Sequence, residues 1–299
     1  MKKTILVMGG TGFLGNNLVT HLAHEGYRLI VKTRNPNARY NTKQVTHIGH
    51  FSEIDEHVDV VVHLSGIPLT VQRWSKSFRE KIVETRIRPL NNLKKWLNTI
   101  EDKPPLLISA SSFGYYGMGT TRPSHMYNED GPAGKDHFAD IFIKVEHEAL
   151  SLQSDFEKIV ILRSANVLGL HGHVFEQITK PIELGFTGVY GSGEQPFPWI
   201  HQQDWVRAVE FLIENDGGQH SIYNIAAPSM NQQYEFAGLA ARYIGKEHSH
   251  NIPTILLRSI LGERADILIR GNYIEPRNLL EEGFRFRFTD LYDAMDYIY

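Results

Sequence analysis

A glycine-rich turn between an apolar run and a helical pattern, close to the start of the chain, constrains the fold more than any other feature. The apolar run Thr4–Met8 leads into "GGTGFLG", and a helical pattern begins at once. Glycines let the backbone turn sharply and approach a pyrophosphate, whose charge then lies against free N–H groups of a helix N-terminus. This context predicts a dinucleotide-binding turn; the alternative is a structural turn without a ligand. The residues expected to contact the dinucleotide are Gly9, Thr11, Gly12, Phe13, Leu14 and Gly15.

β-rich apolar runs alternate with helical patterns through the first half of the chain. Strands are predicted at Thr4–Met8, Arg28–Lys32, Asp59–Leu64, Leu106–Ala110 and Lys158–Arg163, and helices at Phe13–His24, Ser75–Thr99 and His137–Gln153. Strands separated by helix-length segments form βαβ units, which give a parallel sheet covered on both faces. Right-handed crossovers then predict an α/β, Rossmann-type, doubly wound parallel sheet.

The pattern changes after about Val167, where shorter helices and Pro/Gly turns replace the regular alternation. We therefore predict a Rossmann domain over residues 1–166, with part of 203–228 as a candidate to rejoin it. A smaller C-terminal α+β lobe is expected over 167–299, above the strand ends and without a strong sheet of its own. In this lobe Asp204 is expected to cap a helix over Trp205–Ile213.

The end of the second predicted strand indicates which dinucleotide is preferred. NAD-binding proteins place Asp or Glu there to bind the ribose 2′-hydroxyl, whereas this chain reads "VKTRNP" and has no acid. A guanidinium can pair with a 2′-phosphate in bidentate fashion, and a carboxylate would repel it. The sequence predicts NADP(H), read by Thr33 and Arg34. The alternative is that Arg34 only caps a solvent-exposed strand end and binds no ligand.

Composition excludes several classes of protein. Among 299 residues there is no cysteine, which rules out disulfides, thiol chemistry and cysteine-ligated metals. A net charge of −3 argues against binding to nucleic acid or a membrane surface. No apolar stretch is long enough to span a bilayer, and the 15 histidines show no zinc spacing, so no metal site is expected. A cytoplasmic location is expected.

Motifs along nearly the whole chain carry a family resemblance. They are "GGTGFLG", "VVHLSG", "RWSKSFREKIVETR", "SSFGYYG", "GSGEQPFPWIHQQD", "YNIAAP" and "LGERADILIRGNYIEPRNLLEEGFRF". With them the chain resembles the extended short-chain dehydrogenase/reductases. More narrowly it is similar to the atypical "epimerase family" with a characteristic C-terminal segment, often described as nucleoside-diphosphate-sugar epimerases.

The resemblance implies further cofactor contacts. Leu64, Ser65 and Gly66 would line the adenosine side, and the backbone near Val167 would touch the cofactor below the nicotinamide. Lys81 and Arg86 lie in the next helix, where this subgroup keeps basic residues that could reach cofactor phosphates or an acidic substrate. The alternative for both is a solvated helix face.

The resemblance also identifies where catalytic residues would stand, and here the chain departs from the pattern. The superfamily uses a Ser and a Tyr four residues before a Lys; registering the helix by Glu146 places Phe138 at the Tyr position and Phe142 at the Lys position. Neither ring exchanges a proton, and we expect the two to pack together or against the cofactor. Ser112 remains as a weak catalytic candidate, and Tyr115 is another.

These observations favour an NADP(H)-binding oxidoreductase- or epimerase-like protein with atypical chemistry. An unidentified small-molecule substrate would enter between the sheet edge and the lobe. The alternative is a non-catalytic NADPH-binding regulatory or sensor protein. A homodimer pairing through the helices over 75–99 and 137–153, as is usual in this superfamily, is a further possibility.

Overall fold

The computed structural model describes residues 2–69, 72–122, 125–246 and 251–299. Its strands are β1 (Thr4–Met8), β2 (Arg28–Lys32), β3 (Val45–Ile48), β4 (Val60–His63), β5 (Leu106–Ser112), β6 (Met126–Tyr127), β7 (Lys158–Ser164), β8 (Asn166–Leu168), β9 (Trp199–His201), β10 (Ile222–Ile225) and β11 (Tyr273–Ile274). Its helices are α1 (Phe13–His24), α2 (Lys76–Leu97), α3 (His137–Leu150), α4 (His173–Glu183), α5 (Gln202–Glu214), α6 (Gln233–Ile244), α7 (Thr254–Leu261), α8 (Arg264–Ile269), α9 (Arg277–Glu281) and α10 (Leu291–Ile298). None of these helices has both the length and the apolar character needed to cross a bilayer.

A seven-stranded sheet in the order β10-β7-β5-β4-β1-β2-β3 forms the centre of the molecule. Every neighbouring pair in it is parallel. The strand order reverses beside β1, so the carboxyl ends of β1 and β4 flank the crevice where ligands bind in sheets of this kind. The predicted doubly wound Rossmann-type sheet is confirmed.

Helices cover both faces of this sheet, as the nearly continuous burial of its strands requires. On one face α1 and α5 pack over side chains such as Val7 and Leu162, with Trp205 of α5 fully buried. On the other face α2 and the C-terminal end of α3 pack over side chains such as Leu6 and Ile161.

The predicted elements differ from the observed ones mainly at their ends. The bounds of β1, β2 and α1 agree with the prediction, while β5 and β7 are longer than predicted and β4 is shorter. The second helix begins at Lys76 because Ser75 is its N-cap, accepting a hydrogen bond of 3.2 Å from the Phe78 N–H. Two sheet strands, β3 and β10, were not predicted.

The prediction that Asp204 caps a helix was wrong. Helix α5 begins earlier, at Gln202, and its N-cap is His201, whose Nδ1 accepts from the Gln203 N–H at 3.2 Å. Asp204 is instead fully buried and accepts backbone hydrogen bonds from Arg287 at 2.9 Å and Phe288 at 2.8 Å. Its carboxylate therefore ties α5 to the C-terminal segment.

The lobe has a separate apolar core above the carboxyl ends of the sheet. Helices α4, α6, α7, α8 and α10 enclose side chains such as Phe175, Trp199, Phe236 and Met295. Its strands form only two-stranded pairs, β8 with β9 and β6 with β11. The lobe is thus mainly helical and depends on side-chain packing.

Candidate functional site

Two glycines of the turn after β1 are required by the fold itself. Gly9 has φ +90°, and a Cβ there would lie 2.7 Å from the Leu64 carbonyl carbon. A Cβ at Gly15 would lie 2.2 Å from the Gly9 carbonyl oxygen. The turn is therefore closed tightly against the end of β4 and against the first turn of α1.

Gly12 lies in a different environment. It is the N-cap of α1 with φ −78°, and the nearest atom to a Cβ there is the Gly9 oxygen at 3.5 Å. Neither backbone conformation nor packing demands a glycine at this position. The helix has no side-chain cap and no acidic residue in its first turn, while Thr11 and Gly12 are exposed. Open space at Gly12 therefore coincides with the N-terminus of α1, where no side chain compensates the positive end of the helix dipole.

The end of β2 presents an exposed guanidinium next to this opening. Arg34 is exposed, and in the part of the chain that the structure describes no hydrogen bond or ion pair engages it. Thr33 donates its N–H to the Ile48 carbonyl at 3.0 Å, and its hydroxyl oxygen accepts from the Asn35 N–H at 3.4 Å. Lys32 is occupied, because its ammonium donates to the Gly49 carbonyl. Arg34 is thus available to an anion.

A second guanidinium lies over the loop after β4. Gly66 has φ +155°, and a Cβ there would be 2.8 Å from the Arg86 Cζ. Arg86 donates to the carbonyls of Ile82 at 2.9 Å and Ile67 at 3.0 Å, and burial lowers its pKa to about 10. No carboxylate among the described residues pairs with it. Lys81, by contrast, is exposed and has no such partners in those residues.

Sequence reasoning missed His63, the last residue of β4. Its Nδ1 lies 3.1 Å from the Ser109 hydroxyl, and its buried Nε2 has no hydrogen-bond partner among the described residues. Burial, assisted by the nearby Arg86 charge, lowers the pKa of His63 to about 3. The imidazole is therefore neutral at pH 7. The only signal in the sequence was a histidine within the apolar run "VVVH".

Phe138 and Phe142 pack together, as expected. Their rings meet edge to face with centroids 5.4 Å apart, and both residues are buried. Gly114 lies against both rings, since a Cβ there would be 2.5 Å from Phe142 and 2.7 Å from Phe138. The neighbouring Lys144 is exposed and pairs with Asp140 at 2.7 Å. Neither ring can exchange a proton, and the carboxylate of Glu146, one turn further along the helix, is engaged by Ser111 and Arg163.

The two weak catalytic candidates lie in different surroundings. Ser112 ends β5, and its hydroxyl oxygen accepts from the Gly114 N–H at 3.2 Å. Tyr115 instead places its ring centroid 3.4 Å from the Arg163 Cζ. Arg163 is buried and is held by Glu146 in a bidentate pair at 2.9 and 3.0 Å. The neighbouring Tyr116 is structural: its hydroxyl donates to Asn224 at 2.7 Å, and burial raises its pKa to about 12.

A cavity of about 190 Å³ lies between the carboxyl ends of the strands and the lobe. It brings together Ser112, Phe138 and Val167, whereas Tyr115 is not among its lining residues. In residues 2–69, 72–122, 125–246 and 251–299 no three His, Asp or Glu side chains are grouped so that they could hold a metal ion. The cavity is the enclosed space adjacent to the predicted nicotinamide position.

Comparison with known proteins adds an independent set of observations. The model of the NAD-dependent epimerase/dehydratase family matches residues 5–226, and a domain of unknown function, DUF1731, matches residues 252–298. The mouse epimerase family protein SDR39U1 is 30% identical over 298 residues, covering 97% of this chain and 98% of the relative. Epimerase family protein SH2119 of Staphylococcus haemolyticus is 30% identical over 300 residues, covering 98% of each.

Solved structures agree with this likeness. The crystal structure of human epimerase family protein SDR39U1 (isoform 2) with NADPH has a TM-score of 0.84 at 26% identity, covering 99% of this chain and 98% of that one. A UDP-glucuronic acid 4-epimerase from Bacillus cereus, in complex with UDP-glucuronic acid and NAD, has a TM-score of 0.77 at 19% identity, covering 99% and 97%. At that identity the second likeness establishes the fold alone.

Proposed function

The chain belongs to the NAD-dependent epimerase/dehydratase family, and on that premise we propose that it is an NADP(H)-binding oxidoreductase- or epimerase-like protein with an atypical active site. The glycine turn would hold the cofactor, and Val167, which lines the cavity, would lie at its nicotinamide end. A human relative that was crystallised with NADPH supports the choice of cofactor.

One observation carries the assignment: the free guanidinium of Arg34 beside a turn that Gly12 leaves open. The pyrophosphate meets the backbone of Gly12, Phe13 and Leu14, where the helix dipole favours negative charge. Thr33 and Arg34 bind the 2′-phosphate, because the end of β2 has no carboxylate that would repel it.

The remaining contacts of the cofactor follow from the same placement. Leu64, Ser65 and Gly66 line the adenosine side at the end of β4. Arg86, which has no carboxylate partner among the described residues, adds positive charge behind Gly66. Val167 lies at the nicotinamide end, where it also lines the cavity.

The chemistry of this site depends on few side chains. The bound cofactor supplies a hydride from its dihydronicotinamide ring. Ser112 directs its hydroxyl to a substrate carbonyl and orients it, while Phe138 and Phe142 occupy the positions of the usual Tyr and Lys. Since neither phenyl ring carries an exchangeable proton, solvent supplies the proton to the substrate oxygen.

The cofactor assignment is tested with Arg34→Ala, titrated by fluorescence with NADPH and with NADH. Loss of a charge-assisted contact with the 2′-phosphate should weaken NADPH binding roughly 10- to 100-fold and leave NADH binding nearly unchanged. Arg285→Ala is the matched control, because Arg285 is also exposed and lies outside the proposed site. Equal losses for both dinucleotides would refute the assignment.

A non-catalytic NADPH sensor is the second candidate. It is favoured because Phe138 and Phe142, which stand at the usual Tyr and Lys positions, are buried phenyl rings that cannot exchange a proton. A sensor retains NADPH through purification and does not oxidise it with a panel of aldehydes and ketones. Measurable oxidation that follows carbonyl concentration would instead establish the enzyme.

A further inference from the structure

Resting on the proposed function, we propose that the cavity next to Ser112 binds a compact, uncharged and mainly apolar carbonyl compound, such as an aryl or branched alkyl ketone or aldehyde. A nucleotide sugar, which carries a diphosphate and many hydroxyl groups, does not fit the chemistry of this cavity.

The walls of the cavity are apolar on both sides. The sheet side contributes Phe113, Phe138 and Val167, and the lobe contributes Ile178, Phe197 and Leu268. Most of these residues are buried, so their side chains are already fixed by packing. Surfaces of this kind favour a ligand that gains by leaving water and that needs few hydrogen bonds.

Three of the four amide side chains in the lining are engaged by the protein. Gln195 donates to the carbonyls of Tyr190 at 3.2 Å and Leu268 at 2.8 Å. Gln233 accepts from the Tyr190 N–H at 3.1 Å and donates to the Gly188 carbonyl at 2.8 Å. Asn166 donates to the Pro198 carbonyl at 2.9 Å. These groups hold the loop over residues 188–198 in place rather than facing a ligand with free donors.

Ser112 supplies a donor on the sheet side of the cavity. Its oxygen accepts from the Gly114 N–H, which leaves the hydroxyl proton available for a ligand oxygen. Gln177 and Arg270 also line the space; Arg270 is exposed and lies 3.8 Å from Asp266. One well-placed donor matches a single carbonyl group.

Positive charge is poorly placed for a diphosphate. Arg264 has a buried Nε without a partner in the described part of the chain, but it lines a separate groove formed by α4, α7 and α8. Tyr190 lines both spaces and lies between them, with its hydroxyl donating to the Gln177 carbonyl at 2.6 Å. A diphosphate inside the cavity would lack a buried cation.

The volume leads to the same conclusion. The cavity measures about 190 Å³, below the roughly 300–1,000 Å³ of pockets that hold drug-sized ligands. A nicotinamide ring beside Val167 would occupy part of that space. What is left suits a ring or a short branched chain.

The test uses three probes on the full chain: acetophenone, ethylbenzene and UDP-glucose. Binding is measured by ligand-observed NMR, with and without saturating NADPH. We expect both aromatic compounds to bind and UDP-glucose not to bind. Ser112→Ala should weaken acetophenone about tenfold, the loss of one hydrogen bond, and leave ethylbenzene unchanged because it has no oxygen.

A second variant locates the binding site. Val174→Trp narrows the cavity from α4 and should abolish binding of both aromatic compounds. NADPH binding should be retained, because its phosphates and adenosine are held at the glycine turn and the ends of β2 and β4, outside the cavity. Leu184→Trp is the matched control, because Leu184 is exposed at the end of the same helix and does not line the cavity.

The outcomes separate this proposal from the cofactor assignment. Saturable binding of UDP-glucose, or aromatic binding that persists in Val174→Trp, overturns the inference even when NADPH binds as expected. Failure of NADPH to bind, measured separately by fluorescence, overturns the proposed function. Retained NADPH binding in Val174→Trp shows that the variant is folded.

Discussion

At the scale of single residues, the glycines of the first turn have different reasons to be glycine. Gly9 and Gly15 leave room for other parts of the protein, since a Cβ at either would meet backbone atoms below 3 Å. Gly12 leaves room for something outside the chain, because the nearest atom to a Cβ there is 3.5 Å away. The sequence alone cannot distinguish these two roles, because it shows a glycine in both cases.

Alanine substitutions separate these roles. Gly12→Ala should change the free energy of unfolding by less than about 1 kcal/mol, because φ −78° suits alanine although alanine is a weaker N-cap than glycine, while NADPH binding falls about tenfold or more. Gly15→Ala should lower the free energy of unfolding by about 1–3 kcal/mol through overpacking against the Gly9 carbonyl. Denaturant titration and cofactor fluorescence measure the two effects. Comparable destabilisation by both variants would contradict this division.

The phenylalanine pair gives a second prediction at this scale. Phe142→Lys places an ammonium in a buried apolar cluster and should lower the free energy of unfolding by roughly 3 kcal/mol or more. Phe138→Tyr should lower the free energy of unfolding less, because Phe138 also lines the cavity and the added hydroxyl can extend into it. Urea unfolding compares the variants. A fully stable Phe142→Lys would show that the surroundings adapt to a charge.

At the scale of elements, the start of α5 shows how a local signal misleads. Asp204 in front of an apolar helical pattern is a good cap by its residue type, yet His201 caps the helix three residues earlier. The buried Asp204 is needed by the C-terminal backbone at Arg287 and Phe288 instead. Such a partner, 83 residues away along the chain, leaves no local trace.

The histidine cap should also make stability depend on pH. Burial, with a smaller effect of Arg287, lowers the pKa of His201 from 6.5 to about 4. The folded state then binds fewer protons than the unfolded state, so this stabilisation is complete above pH 6.5 and is lost as pH falls towards 4. The loss is roughly 3 kcal/mol.

His201→Asn tests this dependence, because asparagine is a good N-cap that does not titrate. The slope of the free energy of unfolding against pH, measured between pH 4 and 6.5, should decrease. It should not vanish, because His63, with a pKa lowered to about 3, loses stabilisation in the same window. An unchanged slope would show that folding does not shift the pKa of His201.

Elements bounded by a local turn or cap signal in the sequence were predicted well, and strands without such a signal were missed. The glycine turn set the bounds of β1 and α1, and a cap set the start of α2. Strand β3 was missed because it is four residues long with polar Thr46 and His47 inside it. Strand β10 was missed because it enters the sheet by pairing with β7, far away in sequence.

At the scale of the whole molecule, the later part of the chain contributes to the central sheet. Strand β10 forms its edge beside β7, and α5 covers one face through Trp205. These segments support the proposal that part of 203–228 belongs with residues 1–166, while most of 167–299 forms the lobe. The apolar core under the sheet is thus shared between both halves of the chain.

A truncated chain tests this shared core. Residues 1–166 alone should fail to fold cooperatively, because loss of β10 and α5 exposes the apolar face of β7 and α1. The full chain should unfold in a single transition by circular dichroism and by tryptophan fluorescence. A stable, cooperatively melting fragment would instead show that the first half is an independent domain.

The candidate site was predictable only in part at this scale. The cofactor residues remain predictions from motifs close to strand ends, where a parallel sheet places ligands. The sequence predicted a substrate space between the sheet edge and the lobe, but not the full lining of the cavity, because its walls come from separate stretches around Ser112, Val167, Ile178, Phe197 and Leu268. Only the packing of the lobe on the sheet brings them together.

The loop over residues 188–198, fastened by Gln195 and Gln233, has a consequence for evolution as well as for binding. The conformation of this loop is fixed before a ligand binds, so little conformational entropy is lost on binding. Replacing one side chain of the cavity wall with another of different size can then change which ligand is bound without changing the loop. We expect related proteins that keep both glutamines but differ at the cavity walls to bind different small, mainly apolar ligands.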